Sequence, residues 1–395
     1  MFTHSLPFSC LVVMAKKPKI IVIGCGIVGA MVAYELSLRS PAEIHVLDRQ
    51  QPAQDSTGAA LGVLMGVISG KVKGRTWRLR EASVRRYKTL LSELTKQGYE
   101  IPGTRGIVSL CFDESKLPRW EFLKEKREQQ GWALEIWSPQ ELKERCPQVD
   151  LVSLGEHSEE RRAVKAAIYS PEDGQIQPVP LVKALVSAAE SRGVTFHWDT
   201  EVTRLNTNAQ RCPSMQVLEA ATEKTFEVDW IVVTAGLGSA ALTREVSEPL
   251  SLMPVLGQAA EIQLPNVLGH QDFQPVINGD DIQFVPLGEG RYWIGATVEF
   301  PTEGEALEAK ANGVEELLKG AARFCGAIAQ AKIIKTWSGL RPRPVGQPAP
   351  VIKPLSNIEN VTLATGHYRN GVLLAPATAS VVCELLEEIG LLDKI

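Results

Sequence analysis

Three groups of residues have the types and spacing for chemistry. The first is Gly24-Cys25-Gly26-Ile27-Val28-Gly29. It follows the apolar run from Lys19 and opens a segment of helical spacing, with Val28, Val32 and Leu36 on one stripe. A second apolar run, from Ile44, ends on Asp48, 19 residues after Gly29. In a β–α–β unit, Gly24 would make the tight turn. Gly26 would let the backbone approach a pyrophosphate at the helix N-terminus, and Gly29 would let helix and strand pack closely. Asp48 would accept hydrogen bonds from a ribose. A purely structural unit can carry the same glycines, but the strand before, the helix after and the acid beyond point to a dinucleotide site. Arg49 suits a 2′-phosphate, or is a solvated residue past the strand end.

The second group, Asp55-Ser-Thr-Gly-Ala-Ala-Leu-Gly-Val-Leu64, is rich in small residues. These let the backbone come close to a bulky ligand, and the hydroxyls can bond phosphate. A nicotinamide-binding domain would continue as regular β–α–β units, so this break favours a longer ligand such as FAD. The third group comprises Ser338-Gly-Leu-Arg-Pro342 and the run from Leu363 to Thr378, which contains Gly366-His-Tyr-Arg-Asn-Gly-Val-Leu-Leu-Ala-Pro-Ala-Thr.

Taken in this order, the motifs resemble the D-amino acid oxidase superfamily of FAD enzymes, nearest to its glycine oxidases, over about residues 18 to 385. The resemblance implies that Gly24, Gly26, Ile27, Val28 and Gly29 hold the pyrophosphate. Asp48, where the family usually has Glu, would meet the ribose, with Arg49 beside it. Ser56, Thr57, Ala60, Leu61, Gly62 and Val63 would line the pyrophosphate and ring, and Val202 would offer backbone to adenine. Ala235 and Gly236 would contact the ribityl side. Gly339, His367, Arg369, Asn370, Gly371, Val372 and Leu373 would surround the pyrimidine edge, with the last helix pointing its N-terminus at the flavin O2. Arg341 would clamp a substrate carboxylate with its planar fork, or be a surface Arg before a proline loop. Arg369 is a second candidate. Gln283 stands where relatives often present Tyr. Strand alternation would put Asp281, Gln283 and Val285 on one face, making the site more polar, unless Gln283 is a solvated strand residue.

The implied reaction is FAD-dependent oxidation of the C–N bond of an amino acid or small amine, glycine or a D-amino acid by the family pattern, by hydride transfer to flavin N5. Oxygen or another acceptor would take the electrons. The alternatives are a hydroxy-acid dehydrogenase of the same fold and a non-catalytic flavoprotein assembly factor.

These groups need a scaffold. Continuous apolar runs at both ends and in the middle read as buried parallel strands, whereas Asp281 to Phe300 alternates around Gly288-Glu-Gly290, a hairpin. The fold class is therefore α/β (α+β), a discontinuous Rossmann-type FAD-binding domain with an inserted, mainly antiparallel substrate domain. The expected limits are 15–80, 168–243 and 338–395 for the first and 81–167 with 244–337 for the second. Helices are expected over Thr76–Lys96, Pro118–Gly131, Ser138–Cys146, Pro178–Arg192, Glu305–Phe324 and Ala375–Ile389. A strand from Ala167 should end in the turn Ser170 to Gly174, and another should end before a loop starting at Arg341.

The chain has 395 residues, 44% hydrophobic and 22% charged, with net charge −4. That excludes disordered, collagen-like and coiled-coil classes and shows no nucleic-acid footprint. Lys71, Lys73, Arg75, Arg78 and Arg80 read as a solvated helix face. Seven widely spaced cysteines and six scattered histidines give no disulfide framework and no legible metal site. A reducing, cytoplasmic setting follows. No apolar run reaches the ~18 residues of a membrane span, and a homo-oligomer is compatible with this composition. Residues 1–14 read as a floppy extension, since the basic residues follow its apolar stretch instead of preceding it.

Overall fold

The computed structural model describes residues 17–154, 161–245, 248–302, 307–310 and 312–392. The expected N-terminal extension lies outside them.

Short runs such as Ile20–Ile23 are apolar at every position because they are covered on both faces. They build a six-stranded sheet in the order Val351–Pro354, Val361–Thr365, Trp230–Val233, Lys19–Ile23, Glu43–Leu47, Thr195–His197. All pairings are parallel except that of Val351–Pro354 with Val361–Thr365. One face packs against the helices Ile27–Arg39, Pro178–Glu190 and Gly371–Glu388. The other is covered by a three-stranded antiparallel sheet, Thr200–Asn208, Arg211–Glu219 and Thr222–Glu227, through Val202, Leu205, Met215 and Val217.

The second sheet has nine strands. Eight run in the order Lys332–Pro344, Leu252–Gln263, Arg291–Gly295, Ile282–Gly288, Val276–Gly279, Gly103–Cys111, Ala166–Ile176, Val63–Leu64, and Glu135–Trp137 pairs with Ala166–Ile176. Alternation sorts its residues between two cores. Val108, Ile277, Phe284, Tyr292 and Ile294 pack against Leu317, Ala321 and Phe324. Ile107, Val276 and Val285 point the other way, into a cluster with Val67, Ile68, Trp77 and Leu373. The second face is turned toward the parts that carry the nucleotide-binding motifs.

Several elements differ from expectation, each for a local reason. Ser170 to Gly174 does not turn; the strand continues from Ala166 to Ile176, absorbing the irregularity as a register shift opposite Arg105 and Ile107. The strand from Lys332 runs past Arg341 to Pro344. It is the edge strand, where the missing N–H groups of Pro342 and Pro344 are tolerated. The helix expected from Glu305 begins at Gly313; part of the preceding stretch lies outside the described residues. The final helix begins at Gly371 with Pro376 inside it. Proline cannot donate to the carbonyl of Val372 one turn back. The Tyr87 hydroxyl does so instead, at 2.5 Å. By length and composition this helix could cross a membrane, but 61% of its apolar window is buried against the protein.

The sheets also cross the expected domain limits. Residues 63–64, 168–176 and 338–344 are strand residues of the nine-stranded sheet.

Candidate functional site

The glycine loop is shaped by contacts a side chain would destroy. Gly24 has φ +97°, and a Cβ there would lie 2.8 Å from the Ala235 Cα. A Cβ on Gly29 would collide with the Gly24 carbonyl and reach 2.6 Å from Thr234 Oγ1. That hydroxyl donates between the carbonyls of Ile23 and Gly24, at 2.8 Å to each. Gly26 is the N-cap of the Ile27–Arg39 helix and supplies no side-chain cap. Thr57 Oγ1 accepts from Ile27 N at 3.1 Å, closing the loop from the opposite side. Val28 and Gly29 follow in the buried first turn.

Asp48 accepts from Cys25 N at 2.5 Å and from Gln50 N at 2.9 Å. Burial raises its pKa, opposed by those two hydrogen bonds. Val202 lies nearby, since Thr200 N donates to the Asp48 carbonyl. Arg49 turns aside to pair with Asp55 at 2.9 Å, and both are exposed.

The short helix Asp55–Gly58 and the stretch to Val63 bridge the two sheets. Ser56 Oγ donates to Leu340 O at 2.5 Å, and Trp337 Nε1 donates to Ala59 O at 3.0 Å. Ala60 N donates to Thr57 O. Leu61 is buried, and its carbonyl accepts from Gln175. Gly62, at φ +73°, abuts Ile176. Gly339 is required because a Cβ there would strike Ala59.

The turn before the last helix completes the arrangement. His367 is buried, bonds Thr378 Oγ1 at 2.8 Å, and has its pKa pushed down to about 3, chiefly by burial and also by Arg75. Its ring is therefore neutral. Asn370 accepts from Arg80 at 3.2 Å, and Gly371 opens a helix with no side-chain cap. Leu373 packs beside Gly66.

Asp281, Gln283 and Val285 do not share a strand face, because the strand starts at Ile282 and Asp281 sits in the preceding turn at φ +68°. Asp281 instead pairs with Arg369 at 3.1 and 3.3 Å. Arg341 does not end its strand: it lies within it, opposite Val255. Its guanidinium folds back over Gly257, where a Cβ would strike it. Nη1 donates to Leu256 O and Thr297 O, each at 3.0 Å. Nε and Nη2 have no hydrogen-bond partner among the described residues. Burial lowers its pKa, and nearby Arg369 adds to the effect, while Tyr368 and Glu299 oppose it. Gly257, Ala259, Gly295 and Gly339 form a low floor on this face, and Leu61 reaches Gly295. Gln283 closes the row beyond Gly295 and is 8% exposed.

Sequence reasoning missed the residues that hold these parts. Asp173, fully buried, accepts from Gly66, Val67 and Ile68 N–H at 2.8, 2.9 and 2.6 Å. Arg127 donates to the carbonyls of Val67, Ser69 and Lys71 and stacks on Trp77 at 3.4 Å. Arg80 joins Met65 O, at 2.5 Å, to Asn370. Arg80 is thus drawn inward from the helix face read as solvated, and Arg75 donates to Pro350 O. No spacing rule links such partners, since they are brought together only by the fold.

The uncapped helix start, the Gly24–Gly29 cradle, the acid beside it and the small-residue passage from Ser56 to Val63 fit an extended dinucleotide bearing a flat ring. The comparisons with known proteins agree. The profile of the DAO family, described as FAD dependent oxidoreductase, matches residues 19–385. The glycine oxidase of Bacillus licheniformis is 28% identical over 382 residues, covering 94% of each chain. The bifunctional protein ThiO/ThiG of Nostoc sp. is 29% identical over 381 residues, 93% of this chain but 52% of that longer protein. The crystal structure of glycine oxidase from Geobacillus kaustophilus superposes with a TM-score of 0.80 at 25% identity, over 95% of both chains.

Proposed function

The chain belongs to the DAO family of FAD dependent oxidoreductases, and we propose that it oxidises the C–N bond of an amino acid or small amine, with glycine and D-amino acids the first substrates to test. The observation that carries this reading is Arg341. Two carbonyls fix one nitrogen of its fork, and the remaining donors have no protein partner among the described residues, on a face floored by small residues. Such a cation suits a carboxylate held in two-point contact.

FAD, when bound, supplies the hydride acceptor. The residues that would hold it are the Gly24–Gly29 loop, Asp48, Ser56 to Val63, Val202, Ala235, Gly236, Gly339 and His367 to Leu373. The protein's own contribution is placement. Arg341 orients the carboxylate and so fixes which face of Cα is presented. The neutral His367 ring adds no charge to its surroundings. Arg369, held by Asp281, borders the same region. The product imine leaves for hydrolysis to the oxo acid and ammonia.

Re-oxidation by oxygen, homo-oligomeric assembly and a cytoplasmic location belong to the same proposal. Six buried free cysteines support the last. We likewise propose 15–80, 168–243 and 338–395 as the cofactor domain and 81–167 with 244–337 as the substrate domain, with the strands Ala166–Ile176 and Lys332–Pro344 spanning the limits and Val63–Leu64 joining the substrate sheet from the cofactor side.

The test is an anaerobic screen of amino acids, amines and 2-hydroxy acids for bleaching of the bound flavin. Bleaching by amino acids is the expected result. Bleaching by hydroxy acids alone, or by nothing, overturns the assignment.

A further inference from the structure

Residues 65–71 follow the Val63–Leu64 strand without joining a sheet or a helix. Charged side chains satisfy their backbone instead. Asp173 takes the N–H groups of Gly66, Val67 and Ile68. Alternate carbonyls go to two arginines: Met65 O to Arg80, and Val67, Ser69 and Lys71 O to Arg127.

The charges in this cage do not balance. Arg127 is buried and gives its remaining nitrogen to Gln130 Oε1. Arg80 is half-buried; it spends its second outer nitrogen on Asn370 Oδ1, and its Nε is enclosed with no partner. Among the described residues, every hydrogen-bond acceptor that either guanidinium meets is neutral. The acids that act on them are Asp173 and, for Arg127, also Glu81. Glu81 already pairs with Arg85 at 2.9 Å. Two cations therefore share one buried carboxylate, which leaves a surplus of one positive charge. Burial lowers the Arg80 pKa, and Asp173 opposes this. A desolvated charge short of its counter-ion is costly.

The two partners of Arg80 show where a counter-charge would lie. Met65 stands just past the Ser56 to Val63 passage, and Asn370 is the N-cap of the Gly371–Glu388 helix. These are the segments that would flank the flavin ring and its pyrimidine edge. Arg80 ties one to the other, and the helix start adds the positive end of its dipole, with no side-chain cap.

We propose that Arg80 tunes the flavin: its uncompensated charge, fixed between Met65 and Asn370, stabilises the negative charge that the ring carries over N1 and O2 when it is reduced. The charge acts through the intervening atoms and requires no hydrogen bond to the ring. This rests on FAD binding and not on the choice of substrate, so it stands or falls apart from the amino-acid reading.

Sulfite tests it without a substrate. Sulfite adds its lone pair to flavin N5, forming an N–S bond and leaving the negative charge over N1 and O2, with no other oxidant or reductant. FAD-loaded wild type, Arg80→Gln, Arg80→Met and Arg80→Lys are titrated with sulfite and followed by bleaching of the flavin. Thermal unfolding and FAD content are measured in parallel. Both neutral variants should bind sulfite at least about tenfold more weakly than wild type. Their flavin midpoint potential should fall by about 30 mV or more, the equivalent of tenfold for a two-electron couple. Arg80→Lys keeps the charge and should stay within about threefold of wild type. Arg80→Met fills the space without a polar group and serves where the buried amide of Arg80→Gln packs poorly. A purely structural Arg80 would lower Tm and FAD content and leave the sulfite affinity of the retained flavin unmoved, and that result overturns the proposal. Equal loss in Arg80→Lys and the neutral variants overturns it too, as does failure of both neutral variants to hold FAD, which would make Arg80 an anchor of the pocket alone.

Discussion

The Gly24–Gly29 loop and the Arg341 face of the nine-stranded sheet solve opposite problems. In the loop, Gly24 to Thr57 lie against one another and against Thr234 and Ala235, through contacts so close that no side chain fits at Gly24 or Gly29. On the sheet face, Arg341 and Gln283 come from different strands, and among the described residues Gln283 Oε1 and the Nε and Nη2 of Arg341 have no hydrogen-bond partner. The loop is specified by what must be absent, the sheet face by what is held in place. The first kind of site is intolerant of any added atom. The second should tolerate substitution in the fold but not in its task.

Breaking the loop should give the largest effect. Gly29→Ala places a carbon against the Gly24 carbonyl and Thr234. The expected outcome is protein that neither folds stably nor retains flavin, read by visible absorbance and thermal unfolding. A yellow, stable variant would show that the loop yields. On the sheet face, Arg341→Ala should keep the flavin and lose about 2–5 kcal/mol of transition-state binding in kcat/KM for carboxylate substrates. Arg341→Lys should recover part of it, because a point charge cannot reproduce the fork. A decarboxylated amine should be less affected; equal loss on both substrates would make Arg341 structural.

The third effect is a pH dependence. His367 is neutral in the fold, with its pKa pushed down to about 3 by burial. Unfolded histidine takes up its proton near pH ~6.5. Its contribution is therefore complete above that value and is lost as pH falls toward the folded pKa. Urea unfolding should show a loss on the order of 3 kcal/mol between pH ~6.5 and ~4 from this residue, and His367→Gln should flatten that part of the curve. The smallest effect is at Asp281→Asn. The pair with Arg369 is exposed, with side-chain exposures of 74% and 38%. Such pairs are worth about 0–1 kcal/mol, so the midpoint of unfolding should scarcely move. A large loss would join this pair to the working site.

The contrast also explains what was legible in the sequence. Gly24 to Gly29, Asp48 and the run from Gly366 to Thr378 are contiguous, and their backbone demands show as glycines at fixed offsets. Asp173 is different. It sits in Ser-Pro-Glu-Asp-Gly, which reads as a turn, yet the backbone there is strand and the carboxylate serves another segment. Arg80 belongs to a basic run that reads as solvent-facing, and only its tertiary partners turn it inward. Pro342 and Pro344 argued for a loop because an edge position cannot be recognised before the sheet is known.

The cage around residues 66–71 has a consequence for the order of assembly. Asp173 reaches it from 105 to 107 residues away, and Arg127 from 56 to 60. The segment cannot find its ligands until the Gly74–Lys96 and Leu117–Gln129 helices and the Ala166–Ile176 strand have met, and each closure costs loop entropy before any contact rewards it. The polypeptide therefore has to bring the Leu117–Gln129 helix and the Ala166–Ile176 strand into place before residues 66–71 become rigid. A ribosome must have released well over a hundred further residues before this early stretch can settle, so in the growing chain this segment is written early and set late.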